Sequence, residues 1–282
     1  MKERFTKISY QANNDCKVIT VDGYDIGRAY ERVLHYDPNL TVAYFKKCVG
    51  KIKIEGDRYD IADGDIILLN DEEIHCVEIE PEVYCERITL YVSKELAVKF
   101  GVDPRLLFSA FYKGQNKLQA MAVTNYGIDS IIEEILRLSK ESDERSGVMA
   151  SCKCIELMFS LADAQSPDTT DAKSHNATVK KVLDYLNKSF AKISDCDEIS
   201  RKFHLSKFYL SRLFRENVGV SLWDYVIFKR LLYFNELVRG GNNIEEACYK
   251  AGFNNYSNFY RLYKKHMNMT PKAFKEKSEK RI

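Results

Sequence analysis

Two arginines, Arg212 and Arg261, stand 49 residues apart inside near-copies of one short segment, "FYLSRLFR" (208–215) and "SNFYRLYK" (257–264). A guanidinium near the start of an exposed helix can donate two bonds to guanine in a major groove, worth about 1–3 kcal/mol of base discrimination. Beside it in the first copy are Lys207, Phe208, Ser211 and Arg215, and in the second Ser257, Asn258, Lys264 and Lys265. Residues near each helix start suit base edges, and the later basic ones suit flanking phosphates. A single such arginine reads as ordinary surface charge on a helical bundle. Repetition at one place in two copies of one unit favours the nucleic-acid reading.

The repeat also specifies the elements that position these side chains. Leu210 aligns with Phe259, Leu213 with Leu262 and Phe214 with Tyr263, whereas upstream the shift is 48, bringing Leu205 onto Phe253 and Ile199 onto Ala247. One turn should therefore be a residue longer. Each copy reads as a short helix, a tight turn and a second helix: Glu198 to Phe203, His204-Leu205, then Lys207 onward, and Ile244 to Ala251, Gly252-Phe253, then Tyr256 onward. Gly252 supplies backbone freedom at its turn. Ser206, and Asn255 or Ser257, are suited to cap the second helices. Phe259, Leu262 and Tyr263 follow helical spacing and should pack inward, opposite Ser257, Asn258 and Arg261. Between the copies, Leu222 to Val238 reads as one long spacer helix.

Charge agrees with this placement. The chain of 282 residues has a net charge of only +2, but residues 1–170 hold 21 Lys+Arg against 29 Asp+Glu (−8), and the remainder holds 22 against 12 (+10). A basic C-terminal third is the footprint of a module that meets phosphate.

The first 92 residues read as short antiparallel strands broken by Gly23, Asp37-Pro38, Gly50, Gly56 and Gly64, which implies a β-barrel or sandwich. After Val92 the period becomes helical. Ser93 is suited to cap "SKELAVKF"; Ile128, Ile131, Ile132, Ile135 and Leu138 form one stripe, and a further helix runs roughly from Val148 to Ala162. These two helices either cover the β domain or pair with a second copy. "DAQSPDTTDAKSHN", from Asp163, reads as the linker. The expected organisation is an α+β multidomain chain: a β domain over 1–92, a helical dimerisation or support segment over 93–162, a linker over 163–176 and an all-α double helix-turn-helix domain over 177–282.

Eight cysteines lack the two-residue spacing of structural zinc sites and read as reduced, small apolar residues. Cys152 and Cys154 lie two apart in a helical stretch, so they cannot face the same way. No apolar run has signal-peptide length or reaches the roughly 18 residues of a membrane span, which leads to a cytoplasmic reading with no membrane partner.

The C-terminal ~105 residues resemble the DNA-binding domain of the AraC/XylS family of bacterial transcription regulators, through "LSKFYLSRLFRENVGVSLWDYVIFKRLLYFNELV" and "IEEACYKAGFNNYSNFYRLYKKHMNMTPKAF". The resemblance implies base-reading roles for Phe208, Ser211, Arg212, Ser257, Asn258 and Arg261, and a closing helix from Thr270-Pro271. Asn268 stands where that family commonly has glycine. More weakly, "YDIADGDIILLNDEEIH" is similar to the cupin-like sensor domain of such regulators, which implies small-molecule binding and dimerisation through the helices that follow.

Metal-dependent cupins carry His-x-His and Glu, but here Tyr36 and Asp37 follow His35 and Ala43 falls near the Glu position, so only His75 matches and no metal or other cofactor is expected. His35, Tyr44, His75 and Arg87 are the polar pocket candidates; His75 as a turn residue and Arg87 as an ion-pair partner are the structural alternatives. Sugar, other metabolite or no effector all remain open. The expected partners are promoter DNA, a second copy of the chain and, for an activator, RNA polymerase. A protein-contact adaptor is the alternative, distinguished by its lack of a steep salt dependence. An enzyme would need a metal site or nucleophile–base pair that these residues do not supply.

Overall fold

The computed structural model describes residues 5–24, 39–71, 73–79, 82–141, 143–165, 177–267 and 269–279. The chain divides into two compact units, Met1–Ser174 and His175–Ile282.

Among the described residues of the N-terminal unit, nine strands form two sheets rather than a closed barrel. They are β1 (Phe5–Gln11), β2 (Cys16–Gly23), β3 (Leu40–Lys47), β4 (Gly50–Ile54), β5 (Asp57–Ile61), β6 (Asp65–Leu69), β7 (His75–Ile79), β8 (Cys85–Val92) and β9 (Lys117–Leu118). The larger sheet has the order β1-β2-β8-β3-β6-β9 and the smaller β5-β4-β7, with every pairing antiparallel. Glu55 and Gly56, both at positive φ, make the two-residue β4–β5 turn, whose twist matches that of its strands.

At its centre the larger sheet is covered on both faces, while its edge strand β1 is mostly exposed. On β3 and β6, Ala43, Phe45, Ile67 and Leu69 face the core shared with the smaller sheet, and Leu40, Val42, Ile66 and Leu68 face a second core. Burial on both sides explains the unbroken apolar run Ile66 to Leu69 in an antiparallel sheet, where one solvated face would impose alternation.

After β8 the described residues form the helices α1 (Glu95–Phe100) and α2 (Pro104–Leu107), then, beyond β9, α3 (Ala120–Asn125), α4 (Ile128–Ser139) and α5 (Glu144–Ala164). The capping oxygen of α1 comes from Ser93, whose Oγ accepts from Glu95 N at 3.2 Å. Ile128, Ile131, Ile132 and Ile135 of α4 join Cys154, Leu157, Met158 and Leu161 of α5 in the second core, so both helices cover the sheet. Asn13 anchors α5 by donating to Ser151 Oγ at 2.9 Å and to the Gly147 carbonyl. The helix starts a turn before the expected Val148, on the Asp143 cap, and runs through Asp163 and Ala164, two residues expected to begin the linker. Cys154 is buried and Cys152 exposed, as their spacing requires. Val148, Met149 and Phe159 lie on the exposed side of α5.

The C-terminal unit is all helical: α6 (Ala177–Ser189), α7 (Cys196–Lys202), α8 (Lys207–Val218), α9 (Leu222–Arg239), α10 (Ile244–Lys250), α11 (Tyr256–Met267) and α12 (Pro271–Glu279). Val179, Val182, Leu183 and Leu186 form the buried stripe of α6. The spacer α9 belongs to both halves of the unit. Near its start Tyr225 meets Phe214 of α8 edge-on at 5.6 Å, and further along Phe234 lies 4.6 Å from Phe259 of α11. One rigid element thus sets both helix pairs. No described helix is long and apolar enough to cross a membrane.

Candidate nucleic-acid interface

The two helix-turn-helix units repeat down to individual hydrogen bonds. In the first, Phe203 N donates to Ile199 O, His204 N to Arg201 O and Leu205 N to Ser200 O; at the matching positions of the second, Ala251 N donates to Ala247 O, Gly252 N to Tyr249 O and Phe253 N to Cys248 O. From the cap of the second helix onward the register of the repeat moves by one. Ser206 Oγ accepts from Tyr209 N at 3.2 Å, and Asn255 Oδ1 accepts from Asn258 N at 2.9 Å. The change of register falls at Asn254, so this is the extra residue of the longer turn, and Asn255 rather than Ser257 is the cap.

Both turns pass through left-handed backbone, at His204 with φ 53° and at Gly252 with φ 93°. Side chain follows surroundings at these two positions. His204 is exposed and has room for a Cβ, whereas Gly252 sits directly against Ala191.

Capping and packing then hold the two candidate faces outward. Leu210, Leu213 and Phe214 of α8 are buried, as are Phe259 and Tyr263 of α11, with Leu262 half-buried beside them. On the opposite side of α8, Lys207, Phe208, Arg212 and Arg215 are exposed and Ser211 is partly so; on α11, Ser257, Asn258, Arg261, Lys264 and Lys265 are exposed. All ten residues expected to meet DNA lie clear of the core.

The two faces are charged differently despite their shared plan. Arg212 Nε lies 3.9 Å from Glu216 one turn toward the helix end, whereas Arg261 Nη2 donates to Asn258 Oδ1 at 3.1 Å, toward the helix start. Lys207 pairs with Asp197 of α7 at 3.0 Å, which raises its pKa and holds the ammonium charged. The repeat places Lys265 where the first copy has Glu216. His266 is half-buried edge-on against Phe228, at 5.7 Å; burial first, and the Lys265 charge second, push its imidazole below the usual value, against the opposing pull of Asp224.

Tyr260 was missed from the sequence. It is exposed on the same side of α11 as Ser257, Arg261 and Lys264, and the repeat aligns it with Ser211. The repeat itself carried that signal.

Among the N-terminal pocket candidates, Arg87 and His75 face one layer and Tyr44 the other. Opposite residues on neighbouring strands share a face. Tyr44 is opposite Ile88, and Phe45 is opposite Arg87. Tyr44 therefore faces α4, where burial and then Asp129 raise its pKa, while the Arg87 guanidinium lies 5.8 Å from the Phe45 ring between the sheets. His75, opposite Ile54, is buried toward that same layer, with Nδ1 3.3 Å from Glu73 O. Adjacent strand positions point oppositely, so a pocket joining Tyr44 to Arg87 would have to pass through the sheet. His35, Asn268 and residues 166–176 of the linker lie outside the described residues. Among the described residues no three of His, Cys, Asp and Glu gather in a metal-holding group.

Comparison with known proteins covers both units. Residues 17–172 match the AraC-like ligand binding domain, and residues 199–277 match a helix-turn-helix domain. The chain is 20% identical over 257 residues to the HTH-type transcriptional regulator YdeC of Bacillus subtilis (strain 168), covering 86% of each. It is 21% identical over 228 residues to the transcriptional activator RhaS of Mannheimia succiniciproducens, covering 80% of this chain and 82% of RhaS. Among solved structures, that of the AraC-like transcriptional activator CuxR aligns with a TM-score of 0.42 at 11% identity, over 88% of this chain and 85% of CuxR.

Proposed function

The chain belongs to the AraC family of transcription regulators, and from that premise we propose that it binds promoter DNA as a homodimer, each copy inserting α8 and α11 into successive major-groove segments. One observation carries this reading. Two capped helices present an arginine at the same register of a repeated unit, each on the face opposite its core, within the basic third of the chain.

The spacer helix α9 keeps these two helices a fixed distance apart, and its length of five helical turns is of the same order as one turn of DNA. Arg212 and Arg261 read guanine edges, helped by Phe208, Ser211, Ser257 and Asn258. Lys207, Arg215, Lys264 and Lys265 hold phosphates. The N-terminal unit answers to a small-molecule effector, a role supported by its match to a ligand-binding domain. Dimerisation uses the exposed side of α5, where Val148, Met149 and Phe159 lie uncovered in a single copy.

Selection of bound sequences from a random duplex pool by the full chain, at two salt concentrations, tests the reading. An enriched motif with two half-elements about one helical turn apart is expected, with affinity falling as salt rises. Salt-sensitive binding without an enriched motif would leave helices that merely hold DNA, and absence of binding would move the chain to a protein-contact adaptor.

A further inference from the structure

Phe208 is the most exposed of the described large apolar side chains, at 79%, and it occupies the first turn of a helix in which Leu210, Leu213, Phe214 and Val218 are buried. It is not stray surface. Ser211, Arg212 and Arg215 follow it at i+3, i+4 and i+7, so the ring stands on the same side of α8 as the arginine that reads. The Ser206 cap fixes that first turn.

The second unit lacks this feature. Position 208 aligns with Ser257, and the aromatic on that face is Tyr260, which keeps a hydroxyl. A phenyl ring has no donor or acceptor with which to read a base edge. The one apolar group that a base offers in the major groove is the C5-methyl of a pyrimidine, present on thymine and absent from cytosine. Covering that methyl also withdraws the exposed ring from water. Arg212 lies one helical turn further on, roughly 5.4 Å, against about 3.4 Å between stacked bases.

We infer that Phe208 reads the C5-methyl of a pyrimidine, one or two base pairs from the guanine that Arg212 contacts, so that α8 is methyl-selective and α11 is not. This rests on the DNA-reading function proposed above and names one of its specificity determinants. In unmodified DNA the methyl belongs to thymine; in methylated DNA it can belong to 5-methylcytosine.

The test takes the enriched duplex and exchanges thymines for deoxyuridine one at a time, which removes only the methyl, and cytosines for 5-methylcytosine, which adds it. For the full-length chain one thymine exchange should weaken binding about fourfold, the worth of one buried methyl. Phe208→Ala should bind the two duplexes equally, and Phe208→Leu should retain part of the difference. The side chain is exposed, so these variants should keep the parent's circular dichroism and melting behaviour. A cytosine that gains affinity on methylation, with the gain lost in Phe208→Ala, would support methyl reading and identify methylcytosine as its source. Tolerance of every exchange, or undiminished methyl sensitivity in Phe208→Ala, would overturn the inference while leaving the regulator intact. Failure to enrich any sequence would instead remove the DNA-reading function, and this inference with it.

Discussion

Gly252 lies against the backbone of Ala191 so closely that a Cβ built on it would overlap the Ala191 carbonyl and stand 2.9 Å from its Cα. The segment after α6 is thereby wedged into the turn of the second helix-turn-helix unit. Arg230 of α9 also holds this segment. Its Nε donates to Phe190 O at 3.0 Å and its Nη2 to Ile193 O, while its guanidinium lies 5.5 Å from the Trp223 ring and 5.9 Å from that of Phe253. The side chain is buried, and desolvation lowers its pKa. Start of the domain, spacer and second unit therefore meet at one place.

Gly252→Ala should cost roughly 3 kcal/mol, from left-handed backbone strain together with the overlap on Ala191. His204→Gly, at the matching turn of the first unit, should stay within about 1 kcal/mol of the parent, because relief of its left-handed strain opposes the added chain entropy. Urea unfolding of both variants measures the contrast. Similar effects at the two sites would mean that the contact with Ala191 carries no stability.

Tyr263 and Asn235 form a buried pair, the hydroxyl donating to Asn235 Oδ1 at 2.6 Å. Tyr263→Phe keeps the ring against Phe234. It removes only that donor, so a loss of about 1–3 kcal/mol is expected from the amide left short of a partner. Adding Asn235→Leu should recover part of it. A double mutant no better than the sum of its singles would rule out coupling between the two.

The half-buried His266 should make the C-terminal unit sensitive to mild acid. Its folded pKa is lowered from the ordinary 6.5, so the unfolded chain takes up a proton that the folded site resists, and stability rises with pH across this window. Stability should accordingly drop as pH falls through 6.5 toward the lower folded value. Thermal melts at about pH 7.5 and about pH 5.5 should show this slope in the parent and a shallower one in His266→Gln. An unchanged slope would assign the acid sensitivity to other groups.

At the interface, Arg212→Ala or Arg261→Ala should weaken specific complexes by about 1–3 kcal/mol and non-specific ones less. Asn258→Ala should partly reproduce Arg261→Ala, since Asn258 orients that guanidinium. Titrations on the selected duplex and on a scrambled one distinguish the roles. Equal losses on both DNAs would make the arginines phosphate clamps.

The helix-turn-helix pair was legible from residues 196–274 alone because its signals are local. Caps at Ser206 and Asn255, apolar spacing within single helices and the repetition of one short unit each act over a few neighbouring positions. The same locality made the strands and their short turns visible. What only the tertiary structure decided lies in pairings far apart in sequence. That Tyr44 and Arg87 face opposite ways depends on β3 lying beside β8, a strand distant from it along the chain, and a slip of one residue would have reversed it. The two sheets stay open rather than closing into a barrel because of which strands become edges. Whether α4 and α5 cover the sheet or remain free is decided by the apolar face waiting on β2, β3, β6 and β8. Amphipathic spacing determines that a helix will bury one side; it carries no record of the surface that receives it.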